Sequence, residues 1–292
     1  MFAITGITGQ VGGQLAKALL DAKAPVRAVL RDAAKAATWA NRGCEVALAS
    51  MDDAGALTAA FNGAAAVFVL LPPVFDPTPG FAETRRNVAA LLAALQAANP
   101  QRVVCLSTIG VQAEQENLLT QLQMMERSFG ALRMPVAFLR AAWFMENVGW
   151  DIDTALQFGV MPTFLQPADK PVPMVATADV ALAAARLLQD EWGGHRVVEL
   201  EGPTRVTPDQ LAAELGLALG RNVTAQTVPR PTWGALFRSQ GMNHPGPRIR
   251  MLDGFNEGWI EFERGASGSC KGTTPLPAVL SGLVDRATRP VR

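Results

Sequence analysis

Three glycines lie close together at the start of the chain, in the stretch MFAITGITGQVGGQLAKALL. Gly6, Gly9 and Gly12 follow the short apolar run FAIT and precede an Ala- and Leu-rich stretch with helical periodicity. Glycines let a ligand approach the backbone closely, and the first turn of a helix has free N–H groups and a partial positive charge. A glycine-rich turn without a ligand is the alternative, but a strand, this turn and a helix in sequence predict a dinucleotide pyrophosphate site. We expect a side chain at Gly12 to collide with the neighbouring strand, and Gly13 to add further room.

The rest of the first half alternates apolar runs with helix-length segments. VRAVL, EVALAS, AAVFVLL, RVVCLS and VAFLR read as strands, and helices are predicted over 33–41, 81–98 and 115–132. A short helix in MDDAGALTAAF is predicted to be capped by Asp52 or Asp53. Strands that are apolar throughout indicate a parallel sheet covered on both faces. The predicted fold is therefore α/β, a Rossmann-type doubly wound parallel sheet.

The second half is less regular. GVMPTFLQPADKPVPM is rich in Pro and Gly and predicts an irregular segment, which a helix over 178–189 and the strand RVVELEG follow. TPDQLAAELGLALG predicts a helix opened by Thr207, NVTAQTVP predicts a strand, and the remainder from 231 reads mostly as helix and loop. We predict an NAD(P)-binding domain over 1–150, with 175–200 returning to it. The segments 151–174 and 201–292 would form a smaller α+β substrate-binding cap domain, with a cleft between the two.

Charge and composition argue against several classes of partner. The 292 residues include 26 basic and 26 acidic side chains, so no broad positive field favours nucleic acid or an anionic membrane. No apolar stretch is long enough to span a bilayer and no basic segment precedes the first strand, so we expect a cytoplasmic protein. Cys44, Cys105 and Cys270 are widely spaced without a CxxC, which argues against a disulfide framework or a zinc site. Cys105, inside RVVCLS, is expected to be buried.

The second strand ends in VLRD, where a nicotinamide-binding protein recognises the adenosine ribose. An acidic residue there accepts from the 2′-hydroxyl of NAD, whereas arginine binds the 2′-phosphate of NADP. Arg31 follows the strand directly and Lys35 lies about one turn further, so two cations could converge on one phosphate. We therefore favour NADP(H) over NAD(H). The alternative is a solvated charge pair in which Asp32 caps the next helix.

The glycine spacing GxxGxxG resembles that of short-chain reductases, and the chain lacks the proton donor that those enzymes usually use. It contains no tyrosine, and ENLLTQLQMMERSFGALRMP, the segment that should carry a Tyr and a Lys four residues apart, has no lysine. His195 and His244 are expected to be solvated or structural, and no cluster suggests a metal. Hydride delivery to a simple ketone needs a positioned acid, but a conjugated acceptor spreads the new charge. We expect no catalytic side chain and an acceptor such as a quinone or dye.

Several segments together resemble one family, the NmrA-like group of atypical short-chain dehydrogenases. They include ITGITGQVGGQLAKALL, AVLRDAAKA, VFVLLPP, VVCLSTIGV, LRAAWFMEN, TADVALAAARLL and GTTPLPAVL, and they run nearly from end to end. The spacing GxxGxxG also points to short-chain reductases. The resemblance implies one of two functions, either an NAD(P)H-dependent quinone or dye reductase or a non-catalytic NADP(H)-sensing regulator that reports redox state to a protein partner.

The resemblance also implies site residues. The cofactor-binding residues would be Gly6, Thr8, Gly9, Gln10, Val11, Gly12, Arg31, Lys35, Leu71, Pro72, Ser107 and Thr108. The substrate pocket would be lined by Pro73, Trp143, Phe144 and Asn147. Plain core packing is the alternative for Trp143, Phe144 and Met145.

Two positions depart from the family pattern. Ser50 stands where many relatives have Asp near the adenine, and Leu122 stands where several keep Lys or His. The second difference removes a candidate catalytic side chain, so it favours a protein that binds the nucleotide without catalysis.

Overall fold

A computed structural model describes residues 1–288, which leaves the last four residues of the predicted cap outside the described part. The strands are β1 (Phe2–Ile4), β2 (Val26–Leu30), β3 (Glu45–Leu48), β4 (Ala66–Val69), β5 (Arg102–Thr108), β6 (Val136–Ala141), β7 (Trp143–Phe144), β8 (Val160–Thr163), β9 (Met174–Val175), β10 (His195–Glu201), β11 (Thr224–Thr227) and β12 (Cys270–Lys271).

The α-helices are α1 (Gln10–Asp21), α2 (Ala36–Ala40), α3 (Ala54–Phe61), α4 (Ala82–Ala98), α5 (Thr120–Phe129), α6 (Ile152–Phe158), α7 (Thr177–Gln189), α8 (Pro208–Leu219), α9 (Trp233–Ser239), α10 (Gly246–Glu257), α11 (Gly265–Gly268) and α12 (Leu276–Thr288). Short 3₁₀ segments cover Ala33–Lys35, Met145–Asp151 and Arg230–Thr232.

The main sheet has eight strands in the order β12-β10-β6-β5-β4-β1-β2-β3, and every pair in it is parallel. The predicted doubly wound sheet is therefore confirmed. The chain runs outwards from β1 in both directions, through β2 and β3 on one side and β4, β5 and β6 on the other. Such a reversal opens a crevice at the carboxyl end of β1, which is where α/β proteins bind ligands.

Both faces of the sheet are covered by helices, which explains why its central strands are apolar throughout. On one face, Ile4, Phe68 and Val104 belong to a core cluster that includes the buried side chains of α1 and α7. On the other face, Val67 and Cys105 pack with the buried side chains of α3, α4 and α5. Cys105 is fully buried, as predicted.

Several local predictions are confirmed. Asp53 caps α3 by accepting a hydrogen bond from the Ala56 N–H at 2.9 Å. Thr207 opens α8 with a reciprocal capping box, in which its side chain and that of Gln210 each accept from the other's backbone N–H at 3.0 Å. Such caps depend on side chains three residues apart, so a sequence is sufficient to predict them.

Other local predictions were wrong. The helix expected over 115–132 begins only at Thr120, because Asn117 holds the preceding residues in a turn. Its Oδ1 accepts from the Leu119 N–H at 2.8 Å, and its N–H donates to Thr120 Oγ1 at 2.9 Å. The helix expected over 33–41 is divided into a 3₁₀ turn and α2.

The segment after β6 contains more regular structure than its Pro and Gly content suggested. Within it, β8 pairs with β11 in a separate parallel sheet, and β7 pairs with β9 in another. β10 returns to the main sheet beside β6, and β12 extends that sheet by one short strand beside β10. Pairing with strands distant in sequence supplies hydrogen bonds that local composition does not reveal.

Candidate functional site

The glycine turn after β1 is built so tightly that two of its positions exclude a side chain. Gly6 has a φ of +64°, a left-handed conformation that favours glycine. A Cβ on Gly12 would lie 2.4 Å from the Gly6 carbonyl oxygen and 2.8 Å from the Ile7 Cα. The collision is with the turn itself, so the prediction that it would be with the neighbouring strand was wrong.

The N-terminus of α1 leaves backbone N–H groups free for a ligand. The first N–H bonded back within the helix is that of Gly13, which donates to the Gly9 carbonyl at 2.9 Å. No side chain caps the helix and no acidic residue lies in its first turn. The N–H groups of Gln10, Val11 and Gly12 therefore point into the crevice without a carboxylate competing for them. This cradle fits the pyrophosphate of a dinucleotide, and Thr8 and Gln10 are exposed beside it.

Arg31 and Lys35 lie at the carboxyl end of β2, and both are exposed. Neither side chain has a hydrogen-bond or ion-pair partner among residues 1–288. Asp32 between them accepts a hydrogen bond from the Ala34 N–H at 2.9 Å and caps the 3₁₀ turn. The carboxylate is thus occupied locally, while the two cations are available to an anion.

The carboxyl ends of β1 and β4 are joined by Thr5, which is fully buried. Its hydroxyl oxygen accepts from the Leu70 N–H at 2.8 Å and donates to the Phe68 carbonyl at 3.2 Å. Beyond this point Leu71 is buried, Pro72 is half-buried and Pro73 is exposed. The loop that the family resemblance assigns to the ribose and the substrate therefore begins from a fixed position beside the glycine turn.

The two polar residues at the end of β5 have different partners. The Ser107 hydroxyl is buried and donates to Glu126 Oε1 at 2.5 Å. The half-buried Thr108 hydroxyl makes only a long hydrogen bond of 3.2 Å, to the Ile109 carbonyl. Thr108 is therefore the more available of the two for a ligand in the crevice.

Behind Ser107 lies an ionic network, centred on the buried Arg140, that sequence reasoning missed. Arg140, which pairs with Ser107 in the sheet register, binds both oxygens of Glu126 at 3.1 and 2.8 Å and Glu263 Oε2 at 2.7 Å. Glu199, its neighbour on β10, lies 3.6 Å away. Burial acts to lower the pKa of Arg140, but the hydrogen bonds and negative charges of Glu126 and Glu263 outweigh it and raise that pKa. The signal in the sequence was an arginine inside an otherwise apolar strand, VAFLRA.

The segment from Trp143 to Asn147 follows β6 at the carboxyl edge of the sheet. Trp143 and Phe144 form β7 and are half-buried, as is Asn147. The Trp143 ring meets the Phe255 ring edge to face, with 5.2 Å between their centroids. This segment therefore combines core contacts with partial exposure, which suits both the packing and the pocket interpretations.

Glu146 connects the segment after β7 to the helices α7 and α1 through hydrogen bonds. Its Oε1 accepts from the Thr177 N–H at 2.9 Å and from the Thr177 hydroxyl at 2.5 Å. Gln14 Nε2 donates to the same hydroxyl at 2.8 Å. The other oxygen, Oε2, is buried without a hydrogen-bond partner within residues 1–288.

Asp151, at the end of the 3₁₀ segment that follows β7, is also affected by burial, which raises its pKa to about 6.

Leu122 and the two histidines differ in their surroundings. Leu122 is half-buried and packs against the apolar cluster around α4 and α5. His195 and His244 are exposed. Across residues 1–288, no group of three or more His, Cys, Asp or Glu side chains could hold a metal ion, and no helix is long and apolar enough to cross a membrane.

Proteins of known function are similar to this chain along most of its length. The model of the NmrA-like family matches residues 1–242. The chain is 29% identical over 245 residues to quinone oxidoreductase 2 of Escherichia coli, covering 83% of this chain and 82% of that protein. It is 27% identical over 261 residues to the NAD(P)H azoreductase of Xenophilus azovorans, covering 88% and 85%. A crystal structure of an Escherichia coli NADPH-dependent quinone oxidoreductase complexed with NADPH superposes with a TM-score of 0.80 at 26% identity, covering 97% of this chain and 100% of that one.

Proposed function

The chain belongs to the NmrA-like family, and we propose that it is an NADPH-dependent reductase that transfers hydride to a conjugated acceptor such as a quinone or an aromatic dye. The observation that carries the proposal is the side-chain-free cradle at Gly6 and Gly12, from which the N–H groups of α1 face a crevice at the sheet's switch point. The similar proteins support the choice of acceptor, since they include a quinone oxidoreductase and an azoreductase.

The residues of the crevice fit NADPH rather than NADH. The α1 amides would bind the pyrophosphate, and Arg31 and Lys35 would bind the 2′-phosphate, because both cations are exposed and have no other side-chain partner among the described residues. Leu71 and Pro72 would pack beside the ribose. When bound, the cofactor supplies the hydride.

On the acceptor side, Trp143, Phe144, Asn147 and Pro73 would orient a flat molecule. Thr108 would donate a hydrogen bond to it, because the Ser107 proton is already engaged by Glu126. The chain has no tyrosine to act as proton donor, so water would supply the proton after the charge has spread over the acceptor.

We also propose which part of the chain binds the nucleotide and which part covers the acceptor. Residues 1–150 and 175–200 would bind the nucleotide, and 151–174 together with 201–292 would cover the acceptor. Limited proteolysis with and without NADPH tests this division, since the nucleotide should protect sites in the first part. Protection confined to 201–292 would contradict it.

A turnover assay tests the function. Purified protein with NADPH and a panel of benzoquinone, naphthoquinone and azo dyes should lose absorbance at the nicotinamide band. Tight NADPH binding without turnover of any acceptor would refute the reductase and favour the nucleotide-sensing regulator.

The cofactor preference has its own test in Arg31→Ala. Affinity for NADPH should fall about 10-fold or more while affinity for NADH changes little, because only NADPH carries the 2′-phosphate. Arg133→Ala is the matched control, since Arg133 is also exposed but precedes the amino end of β6, whereas Arg31 follows the carboxyl end of β2. Equal losses for both nucleotides would contradict the assignment.

A further inference from the structure

Two large aromatic side chains are exposed and touch each other outside the positions considered so far. Phe75 is 47% exposed and Trp150 is 71% exposed. Their ring centroids are 6.5 Å apart and their planes cross at 84°, an edge-to-face arrangement. Exposed aromatic side chains in contact indicate a binding surface more often than isolated ones do.

The sheet order places this contact at the same edge of the sheet as the crevice. Phe75 lies in the loop that leaves the carboxyl end of β4, and Trp150 lies in the 3₁₀ segment that follows β6 and β7. β5 lies between β4 and β6 in the sheet. Because all three strands are parallel, the segments that carry Phe75 and Trp150 leave the same edge of the sheet, on either side of the carboxyl end of β5, which carries Thr108.

The loop that carries Phe75 is fixed on both sides of it. The buried Gln121 donates from Nε2 to the Val74 carbonyl at 2.9 Å. The Asp76 carboxylate accepts from the Asn243 N–H at 2.8 Å and the His244 N–H at 2.6 Å. These backbone hydrogen bonds also lower the pKa of Asp76. An exposed aromatic ring on an anchored loop is preorganised for binding.

We propose that Phe75 and Trp150 form an aromatic clamp at the mouth of the crevice, against which the flat acceptor stacks before it receives the hydride. The inference rests on the proposed function and names two specificity-determining residues for it. In an edge-to-face pair one ring presents its face away from the other, so it can stack on a conjugated molecule. The area of such a stacking contact increases with the size of the acceptor, so an extended acceptor would gain more affinity from it than a single ring.

Steady-state kinetics at saturating NADPH test the clamp. Trp150→Ala should raise the KM for 1,4-naphthoquinone and for the azo dye methyl red about 3- to 10-fold, with a smaller effect on 1,4-benzoquinone. The kcat and the Kd for NADPH should stay within about twofold of wild type. Phe75→Ala should act in the same direction, and Trp150→Phe should restore most of the affinity by keeping an aromatic face.

Leu182→Ala is the matched control, because Leu182 is as exposed as Phe75, at 48%, but lies on α7, outside the segments proposed to cover the acceptor. Its KM values for the acceptors should equal those of wild type. Unchanged KM for Trp150→Ala, or an equal rise in Leu182→Ala, would overturn the clamp.

Binding without turnover separates the clamp from the proposed function. Equilibrium dialysis of methyl red with the NADP⁺-saturated protein should show weaker binding in Trp150→Ala than in wild type. If wild type reduces no acceptor but still binds the dye in a Trp150-dependent way, the reductase fails and the clamp stands. If wild type reduces quinones and Trp150→Ala binds the dye as wild type does, the clamp fails and the reductase stands.

Discussion

Gly12 is the position at which one added methyl group should disturb the cofactor site most directly. In Gly12→Ala the new Cβ would lie 2.4 Å from the Gly6 carbonyl oxygen, whereas real contacts of this kind stay beyond 3.0 Å. The helix and the turn would have to move apart by at least about 0.6 Å. The atoms on the other side are backbone atoms of Gly6 and Ile7, so no side-chain rotation can relieve the collision.

Two opposing terms set the size of the effect on stability. Overpacking of this kind costs about 1 to 3 kcal/mol, and alanine gains up to about 1 kcal/mol over glycine within a helix. We expect the free energy of unfolding to fall by about 0.5 to 2 kcal/mol. Moving the Gly6 carbonyl also displaces the turn that faces the pyrophosphate, so the Kd for NADPH should rise about tenfold or more.

Gly13→Ala provides a control at the adjacent residue. Its Cβ would lie 3.3 Å from the Ile7 carbonyl oxygen and 3.8 Å from the Trp39 ring, which requires only a small adjustment. Its unfolding free energy should stay within about 1 kcal/mol of wild type and its Kd within about threefold. Urea unfolding followed by circular dichroism and titration of NADPH fluorescence measure the two quantities. The reasoning would be refuted if both variants lost the same affinity, or if Gly12→Ala bound NADPH as wild type does.

Three further substitutions test other parts of the structure. Burial raises the pKa of Asp151 to about 6, so the folded state favours the protonated carboxyl. The free energy of unfolding is therefore highest below about pH 4, where Asp151 is protonated in both states, and it falls as the pH rises through 6. Asp151→Asn should therefore raise the unfolding free energy at pH 7 by about 1 to 2 kcal/mol in urea titrations, and equal pH profiles for variant and wild type between pH 4 and 7 would contradict this. Arg140→Ala leaves the buried Glu199 and the half-buried Glu126 without their cation and should lower stability by about 3 to 5 kcal/mol, a loss that a thermal unfolding curve close to wild type would disprove. Thr207→Ala removes the cap of α8 and should lower stability by about 1 kcal/mol, whereas Thr207→Ser should stay near wild type; equal losses in the two variants would rule out the cap.

The sequence was most informative where an interaction is local. The capping by Asp53 and Thr207 follows from side chains and amides within one helical turn, and both predictions are confirmed. The start of α5 was predicted too early because Asn117 competes for the backbone through its own side chain. The partner of Ser107 could not be predicted, because Glu126 reaches it only after α5 has packed against the sheet.

By itself, the sequence determined the class of fold and the kind of ligand. Apolar strands in alternation with helices predict a parallel sheet, and glycines between the first strand and helix predict a dinucleotide site. Both signals can be read from the sequence because they depend on residues close together in the chain. The missing tyrosine also restricted the chemistry from the sequence alone. Only the tertiary structure decided which side chains share the crevice. The order β6-β5-β4 brings Phe75 to Trp150, and the sheet register brings Ser107 beside Arg140, because strand order and register depend on contacts between residues far apart in the chain.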